Sequence, residues 1–261
     1  MMRAGVCNPC WMTWRRSRKL LASLLACSLV VAGCGGGSVA SPPRLVVVQA
    51  PARAPDRRPL SPPPGRLTVQ VTRPVALRSA PGGPVVARLA PKTSFGSATV
   101  VPVVAQRGSW LGVITSALPN GRVGWISVDA ALVAYRTPWS ISASLRHRQV
   151  VVRDGGRVVM RFPVAIGGPS TPTPTGRFAV TDKLLTNDPS SPYGCCILAL
   201  SARQPRTPQG WGGGDRIAIH ATDLPETIGS AASLGCLRAP AADARRLVRT
   251  IPLGTVVTIG A

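Results

Sequence analysis

From Leu67 to about Ala134 the chain alternates apolar and polar residues, or strings apolar residues into short bursts, with turn residues between them. Leu67-Thr68-Val69-Gln70-Val71, Val85-Val86-Ala87-Arg88-Leu89, Ala98 to Val104, Trp110-Leu111-Gly112-Val113-Ile114 and Val123-Gly124-Trp125-Ile126 read as strands. Pro81-Gly82-Gly83-Pro84 and Pro119-Asn120-Gly121 mark turns. Further on, Gln149–Arg153 and Arg157–Phe162 flank Asp154-Gly155-Gly156, a hairpin signal, and Pro163-Val164-Ala165-Ile166 extends the pattern to Gly167-Gly168. One segment has a helical period: over Ala242 to Thr250, Leu247, Val248 and Ile251 face one side and Arg245, Arg246 and Arg249 the other. Gly254 then leads into a last strand, Thr255 to Ile259. Residues 184–215, rich in Pro, Gly, Ser and Asn, read as one long loop, a length that inside a domain goes with function or disorder. The pattern predicts a mainly β chain of two β domains in series, with no parallel doubly wound sheet. Trp110 and Trp125 are read as core or half-buried residues rather than a ligand platform.

The first third of the chain has a different pattern. Arg15, Arg16, Arg18 and Lys19 precede an apolar run from Leu20 to Ala32. A basic segment before a short apolar one is a secretory leader, too short for a comfortable membrane span. Val31-Ala32-Gly33-Cys34 resembles a bacterial lipobox, which implies cleavage after residue 33 and lipidation of Cys34. Cys7 and Cys10 precede the basic segment and leave with the leader, and Met12 is an alternative start. From 34 to 65, Gly35-Gly36-Gly37 and prolines 42, 43, 51, 55, 59 and 62–64 form a linker. Proline at this density favours an extended spacer, and about thirty residues at ~3 Å each reach roughly 90 Å. The expected organisation is leader 1–33, linker 34–65, a small β-barrel over 66–136 and a second β domain over 139–261.

Charge and cysteine content narrow the partners. The chain has 31 basic residues, 28 of them arginine, against nine acidic ones, a net charge of +22. Removing the leader leaves +17. Nucleic-acid modules would need stacking aromatics and motifs that are absent, so no nucleic acid is expected. An anionic cell envelope and lipid headgroups suit this charge, and a coding bias toward arginine explains it equally well. After cleavage, Cys34, Cys195, Cys196 and Cys236 remain, too few for a disulfide framework. Adjacent Cys195 and Cys196 are expected to stay unbridged, because neighbouring residues in trans geometry sit too close for a relaxed disulfide. With only His147 and His220 as imidazole ligands, neither a metal site nor a cofactor is expected.

The sixteen-residue step from His220 to Cys236 carries the chemistry. A thiol is a useful nucleophile as thiolate, and an imidazole within reach is the usual means of generating one. Gly235 lets the backbone turn tightly, so that amide groups converge on an oxyanion. Spacing alone leaves open a buried cysteine with an unrelated histidine. The flanking residues add specificity. Ile217-Ala218-Ile219-His220-Ala221-Thr222, then Ser233-Leu234-Gly235-Cys236-Leu237-Arg238, with Thr173-Pro174-Thr175-Gly176-Arg177-Phe178 upstream, resemble the L,D-transpeptidase catalytic domain of the YkuD type. The resemblance runs from about residue 139 to the C-terminus, with two departures. The family's glycine after the histidine is Ala221, and a histidine common between the serine and glycine is Leu234. Similarly, Leu77-Arg78-Ser79-Ala80-Pro81-Gly82, with the Trp110 and Trp125 segments, makes 66–136 resemble a bacterial SH3-type barrel.

These resemblances imply a small barrel followed by an L,D-transpeptidase-type β-sandwich. Cys236 would attack the carbonyl of an L-centre–D-Ala amide in a peptidoglycan stem peptide. His220 would take the thiol proton and pass it to the departing amine. The Ala221 carbonyl would fix the imidazole tautomer. Amides around Leu234, Gly235 and Cys236 would hold the oxyanion, at roughly 3 kcal/mol per donor. Arg238 would grip a substrate carboxylate, or else form a structural ion pair. Ser233, placed to orient the elbow, Thr222, and Tyr193 on a lid formed by the long loop, are further substrate-site candidates. An acceptor stem would then close a cross-link, with the enzyme lipid-anchored by Cys34 on the outer face of the cytoplasmic membrane. An L,D-carboxypeptidase would share every site residue. A papain-like endopeptidase is disfavoured because its cysteine precedes its histidine, and a non-catalytic wall-binding lipoprotein predicts loss of a residue that is present.

Overall fold

A computed structural model describes residues 65–261 except 187, 189 and 208–213. The leader, Cys34 and the linker up to residue 64 lie outside the described residues. The first module contains β1 (Arg66–Val71), β2 (Val75–Arg78), β3 (Val85–Leu89), β4 (Val100–Arg107), β5 (Trp110–Val113), β6 (Gly124–Ser127) and β7 (Leu132–Thr137). They form one antiparallel sheet in the order β3-β2-β6-β5-β4-β1-β7. Val69, Val71, Leu77, Val113 and Ile126 supply its buried interior. Trp125 is buried with Arg107 above its ring, while Trp110 is half-buried beside Arg78.

The second module contains β8 (Trp139–Ser144), β9 (Gln149–Asp154), β10 (Arg157–Pro163), β11 (Ile166–Gly167), β12 (Gly176–Leu185), β13 (Cys196–Arg203), β14 (Arg216–His220), β15 (Ala231–Ser233), β16 (Leu237–Arg238), α1 (Ala241–Thr250) and β17 (Val256–Gly260). Eight of its strands form a mixed sheet, β10-β9-β8-β17-β12-β13-β14-β16, and β11 pairs with β15. The β8/β17 and β14/β16 contacts are parallel and the other pairings in the large sheet antiparallel. The class is therefore mainly β, with one α-helix among the described residues. Helix α1 buries Ala244, Leu247 and Val248, turns its arginines to solvent, and ends before Pro252, which cannot continue it.

The structure corrects three readings of the pattern. The segment 184–215 is not a continuous loop: β12 runs to Leu185, and β13 lies inside the sheet between β12 and β14. A strand covered on both faces shows an unbroken apolar run instead of alternation, and Ile197–Leu200 is such a run between polar flanks. Strand β8 and most of β12 also went unassigned, because serines fill the alternate positions of β8 and Asp182-Lys183 interrupts β12. The strand expected at Ala98 begins at Val100 and continues to Arg107.

The two modules pack directly on each other. Gly254 has φ +76°, and a Cβ there would collide with Thr68 and Val100 of the barrel. The Tyr135 hydroxyl donates to Leu253 O at 3.4 Å. Asn120 donates to Arg203 O at 2.7 Å and accepts from Arg203 N at 2.9 Å.

Candidate active site

Parallel pairing of β14 with β16 sets Ile219 opposite Leu237 and His220 opposite Arg238. His220 thus ends one strand while Cys236 immediately precedes the other. The chain reaches Cys236 through Ser233-Leu234-Gly235, where Gly235 has φ +118° and a Cβ would lie 2.9 Å from Ile217 Cδ1. Only glycine fits both the dihedral and the space.

This turn is locked by hydrogen bonds. Ser233 Oγ donates to Cys236 O at 2.6 Å and accepts from Gly235 N at 3.1 Å. Thr173 Oγ1 donates to Gly235 O at 2.9 Å and accepts from Gly167 N at 2.8 Å. Gly168 N donates to Ser233 O at 2.9 Å, and Thr207 Oγ1 to Leu234 O at 3.1 Å. Gln204 Nε2 donates to Pro172 O, and Thr171 Oγ1 reaches Ser233 O at 3.4 Å. The sequence reading missed Thr171, Gln204 and Thr207 and used Thr173 only as part of a motif. A usable signal was present in Thr171-Pro172-Thr173-Pro174, since each proline holds the residue before it extended, with its side chain free to bridge neighbouring backbone.

His220 is only 4% exposed. Its Nδ1 is hydrogen-bonded to Ala221 O, and the Tyr193 ring stands edge-on at 5.0 Å between centroids. Burial pushes the imidazole down to about 4, against the Ala221 and Tyr193 carbonyls, which favour the protonated ring; Arg238 pushes it further down. Burial pushes the Cys236 thiol up to about 11, opposed by the Ala218 amide and Arg238. Burial, then the charge at Cys236, lift the Tyr193 hydroxyl to about 12. At neutral pH the site therefore holds a thiol and a neutral imidazole. Among the described residues, Sγ lies 3.9 Å from Arg216 O and beside the Ala218 amide. Rotation about the Cys236 Cα–Cβ bond is the movement that would turn it toward the ring.

Pro192, Tyr193, His220, Ser233, Leu234, Cys236 and Arg238 enclose a cleft of about 40 Å³, room for little more than one water. Arg238 is half-buried, with Nη1 3.4 Å from Thr227 Oγ1, and no carboxylate pairs with it among the described residues. Its guanidinium is thus available to a ligand. Three of the expected residues have their polar groups engaged within the protein, Ser233 in orienting the elbow as expected. The Ser233 hydroxyl is spent on the turn. The Gly235 amide donates to Ser233 Oγ at 3.1 Å. Thr222 Oγ1 accepts from Leu224 N at 3.0 Å, outside the cleft lining.

The expectation for the adjacent cysteines is overturned. Cys195 and Cys196 are joined to each other by a disulfide, with Cα atoms 3.8 Å apart across a trans peptide. The pair sits where the Ser191–Gly194 turn enters β13. The regular pleat, which sends successive side chains to opposite faces, is not yet established there. Cys236 is the free cysteine of the described residues. No group of three or more His, Cys, Asp or Glu among the described residues could hold a metal ion.

Comparison with known proteins matches this region. The family model of the YkuD-type L,D-transpeptidase catalytic domain matches residues 138–259. A YkuD protein of Bacillus subtilis (strain 168), named as an L,D-transpeptidase, is 34% identical over 125 residues, covering 48% of this chain and 68% of that protein. The Bacillus licheniformis YkuD is 34% identical over 122 residues, covering 47% of this chain and 66% of that protein. A solved L,D-transpeptidase from Mycobacterium smegmatis superimposes with a TM-score of 0.39 at 16% identity, over 62% of this chain and 90% of its own.

Proposed function

This chain belongs to the YkuD family of L,D-transpeptidase catalytic domains, and from that premise we propose that it cross-links peptidoglycan stem peptides through a Cys236 acyl-enzyme, releasing D-Ala. The observation that carries the reading is the joint placement of Cys236, on its glycine-dependent turn, and His220, tied to Ala221 O, in one buried cleft with an unpaired arginine. A buried neutral imidazole is a proton acceptor, and a buried thiol attacks as its proton leaves.

In the proposed cycle the thiol turns to His220 and adds to the donor carbonyl while its proton passes to the imidazole. The amides of Leu234 and Cys236 face the tetrahedral oxygen. Arg238 holds a donor carboxylate with its planar fork. The imidazolium returns the proton to the leaving D-Ala amine, and an acceptor amine then takes the acyl group from sulfur. The donor would reach Cys236 past Pro192 and Tyr193, which line the cleft. The barrel is read as an SH3-like module. Cys34 is read as a lipidated anchor on the outer face of the cytoplasmic membrane, with the linker spanning toward the wall.

The test is incubation of the chain with tetrapeptide-stem muropeptides, with products followed by mass spectrometry and Cys236→Ala as control. A dimer lacking one D-Ala, absent from the control, supports transpeptidation. Loss of D-Ala without a dimer points to L,D-carboxypeptidase activity. No Cys236-dependent product refutes the proposal.

A further inference from the structure

The contact between the modules contains a charged pair that the proposed chemistry does not use. Asp182, in the middle of β12, is fully buried. Its Oδ1 accepts from Thr93 Oγ1, which belongs to the barrel. Its Oδ2 has no hydrogen-bond partner and lies 3.8 Å from Arg216 Nη2. Arg216 is in turn committed on several sides. Its Nε and Nη2 donate to Leu200 O on β13, at 3.0 and 2.8 Å, and Nη2 donates to Thr181 Oγ1 on β12 at 2.6 Å. The guanidinium also lies 5.9 Å from the ring centre of Phe95 in the barrel.

This arrangement is poorly suited to stabilisation alone. A buried ion pair has to offset the desolvation of both charges, and one with an unbonded carboxylate oxygen does so incompletely. What the pair does is immobilise one end of β14. Arg216, Ala218 and His220 alternate along that strand and share a face. The Arg216 carbonyl and the Ala218 amide are the groups on which Cys236 Sγ rests. The side chain that ties the barrel to the sheet and the carbonyl that seats the thiol therefore belong to one residue.

We propose that Asp182 and Arg216 are positioning residues through which the barrel, by way of Thr93 and Phe95, holds the β14 backbone that seats the Cys236 thiol. The proposal rests on the reading of Cys236 as nucleophile. It makes the N-terminal module a part of the active site's support rather than an appended binder. Any ligand that moves the Thr93–Phe95 segment would alter the reactivity of the thiol.

The test is the pH dependence of Cys236 alkylation by iodoacetamide in the full chain, located by peptide mass spectrometry, with the melting temperature recorded for each variant. His220, Arg238 and Tyr193 face the thiol in every variant, and Arg203 and Asp215 accompany Asp182 around Arg216. Thr93→Val removes the hydroxyl at constant shape. With β14 released, water reaches the thiol, and the alkylation midpoint is expected to fall by about one pH unit toward the ordinary thiol range, while the melting temperature falls because the buried Asp182 Oδ1 loses its donor. Thr93→Ser, which keeps the hydroxyl, and Tyr135→Phe, which removes a module contact away from β14, keep the wild-type midpoint. Asp182→Asn cuts the same link from the other side, but it risks the fold, so Thr93→Val decides. A wild-type midpoint in Thr93→Val, or an equal shift in Tyr135→Phe, overturns the proposal. Alkylation needs no muropeptide, so this result stands whether or not the transpeptidase reading survives its own test.

Discussion

Replacing Thr173 with valine tests the claim that the nucleophile's turn is held from outside itself. Thr173 is 4% exposed, and its hydroxyl sits between two backbone groups, accepting from Gly167 N at 2.8 Å and donating to Gly235 O at 2.9 Å. Valine keeps the shape and removes both bonds at once. Each stranded group costs about 1–3 kcal/mol when no partner replaces the lost one, so a loss of about 2–4 kcal/mol is expected, a large share of an ordinary domain's ~5–15 kcal/mol. The readout is the urea midpoint followed by tryptophan fluorescence. Thr171→Val is the internal control, because its 3.4 Å contact with Ser233 O is long, and it should cost less than about 1 kcal/mol. Cys236 acylation by a donor muropeptide should also slow by roughly 10- to 100-fold in Thr173→Val as the turn loosens. A Thr173→Val protein within ~0.5 kcal/mol of wild type, or a Thr171→Val protein equally destabilised, would show that the turn holds itself.

Three further outcomes follow from the same geometry. His220 has a folded-state value of about 4 against an ordinary 6.5, so the unfolded chain binds more protons between those values; this contribution to stability is complete above pH 6.5 and is lost as pH falls through 4. The difference in unfolding free energy between wild type and His220→Gln should change by up to about 3 kcal/mol between pH 7 and pH 4, and an unchanged difference would contradict the buried neutral ring. Gly235→Ala must accommodate φ +118° with Cβ 2.9 Å from Ile217 Cδ1, which should cost about 2–4 kcal/mol in a denaturant melt. Arg238→Lys should raise KM for the donor at least ~10-fold at unchanged melting temperature, since an ammonium cannot reproduce the two-point fork; a wild-type KM would remove the proposed carboxylate contact.

What could be read in the chain alone followed from local signals. The β9–β10 hairpin, the α1 stripe and the motifs around His220 and Cys236 are each encoded within a few neighbouring residues. Strand β13 was not legible, because its apolar run is framed by glycine and proline and is buried on both faces inside the sheet, where alternation is lost. The clamp on the turn was not legible either. Thr173 is 62 residues from Gly235, and nothing in either neighbourhood announces the other. The same holds for Thr93 and Asp182, 89 residues apart. An acidic residue inside an otherwise apolar strand signals only that a partner exists, not where it comes from. The disulfide was excluded because neighbouring residues in trans geometry sit close together, yet Cys195 and Cys196 are bridged with their Cα atoms 3.8 Å apart.

The protonation state of the idle site constrains how catalysis can start. A thiol at about 11 and an imidazole at about 4 differ by about seven pH units, so moving the proton between them in the closed cleft costs on the order of 10 kcal/mol. A preformed thiolate–imidazolium pair is therefore a minor species. Arg238 does not change this balance, because it favours the thiolate and disfavours the imidazolium together. The Ala221 carbonyl acts at one end only, raising the imidazole's affinity for a proton without touching sulfur. The remaining cost falls if the S–C bond forms as the proton leaves, so that charge appears on the carbonyl oxygen rather than on buried sulfur. If Cys236 is the nucleophile, its burial has two effects: it keeps the thiol unreactive without substrate, and it ties deprotonation to the presence of a carbonyl to attack.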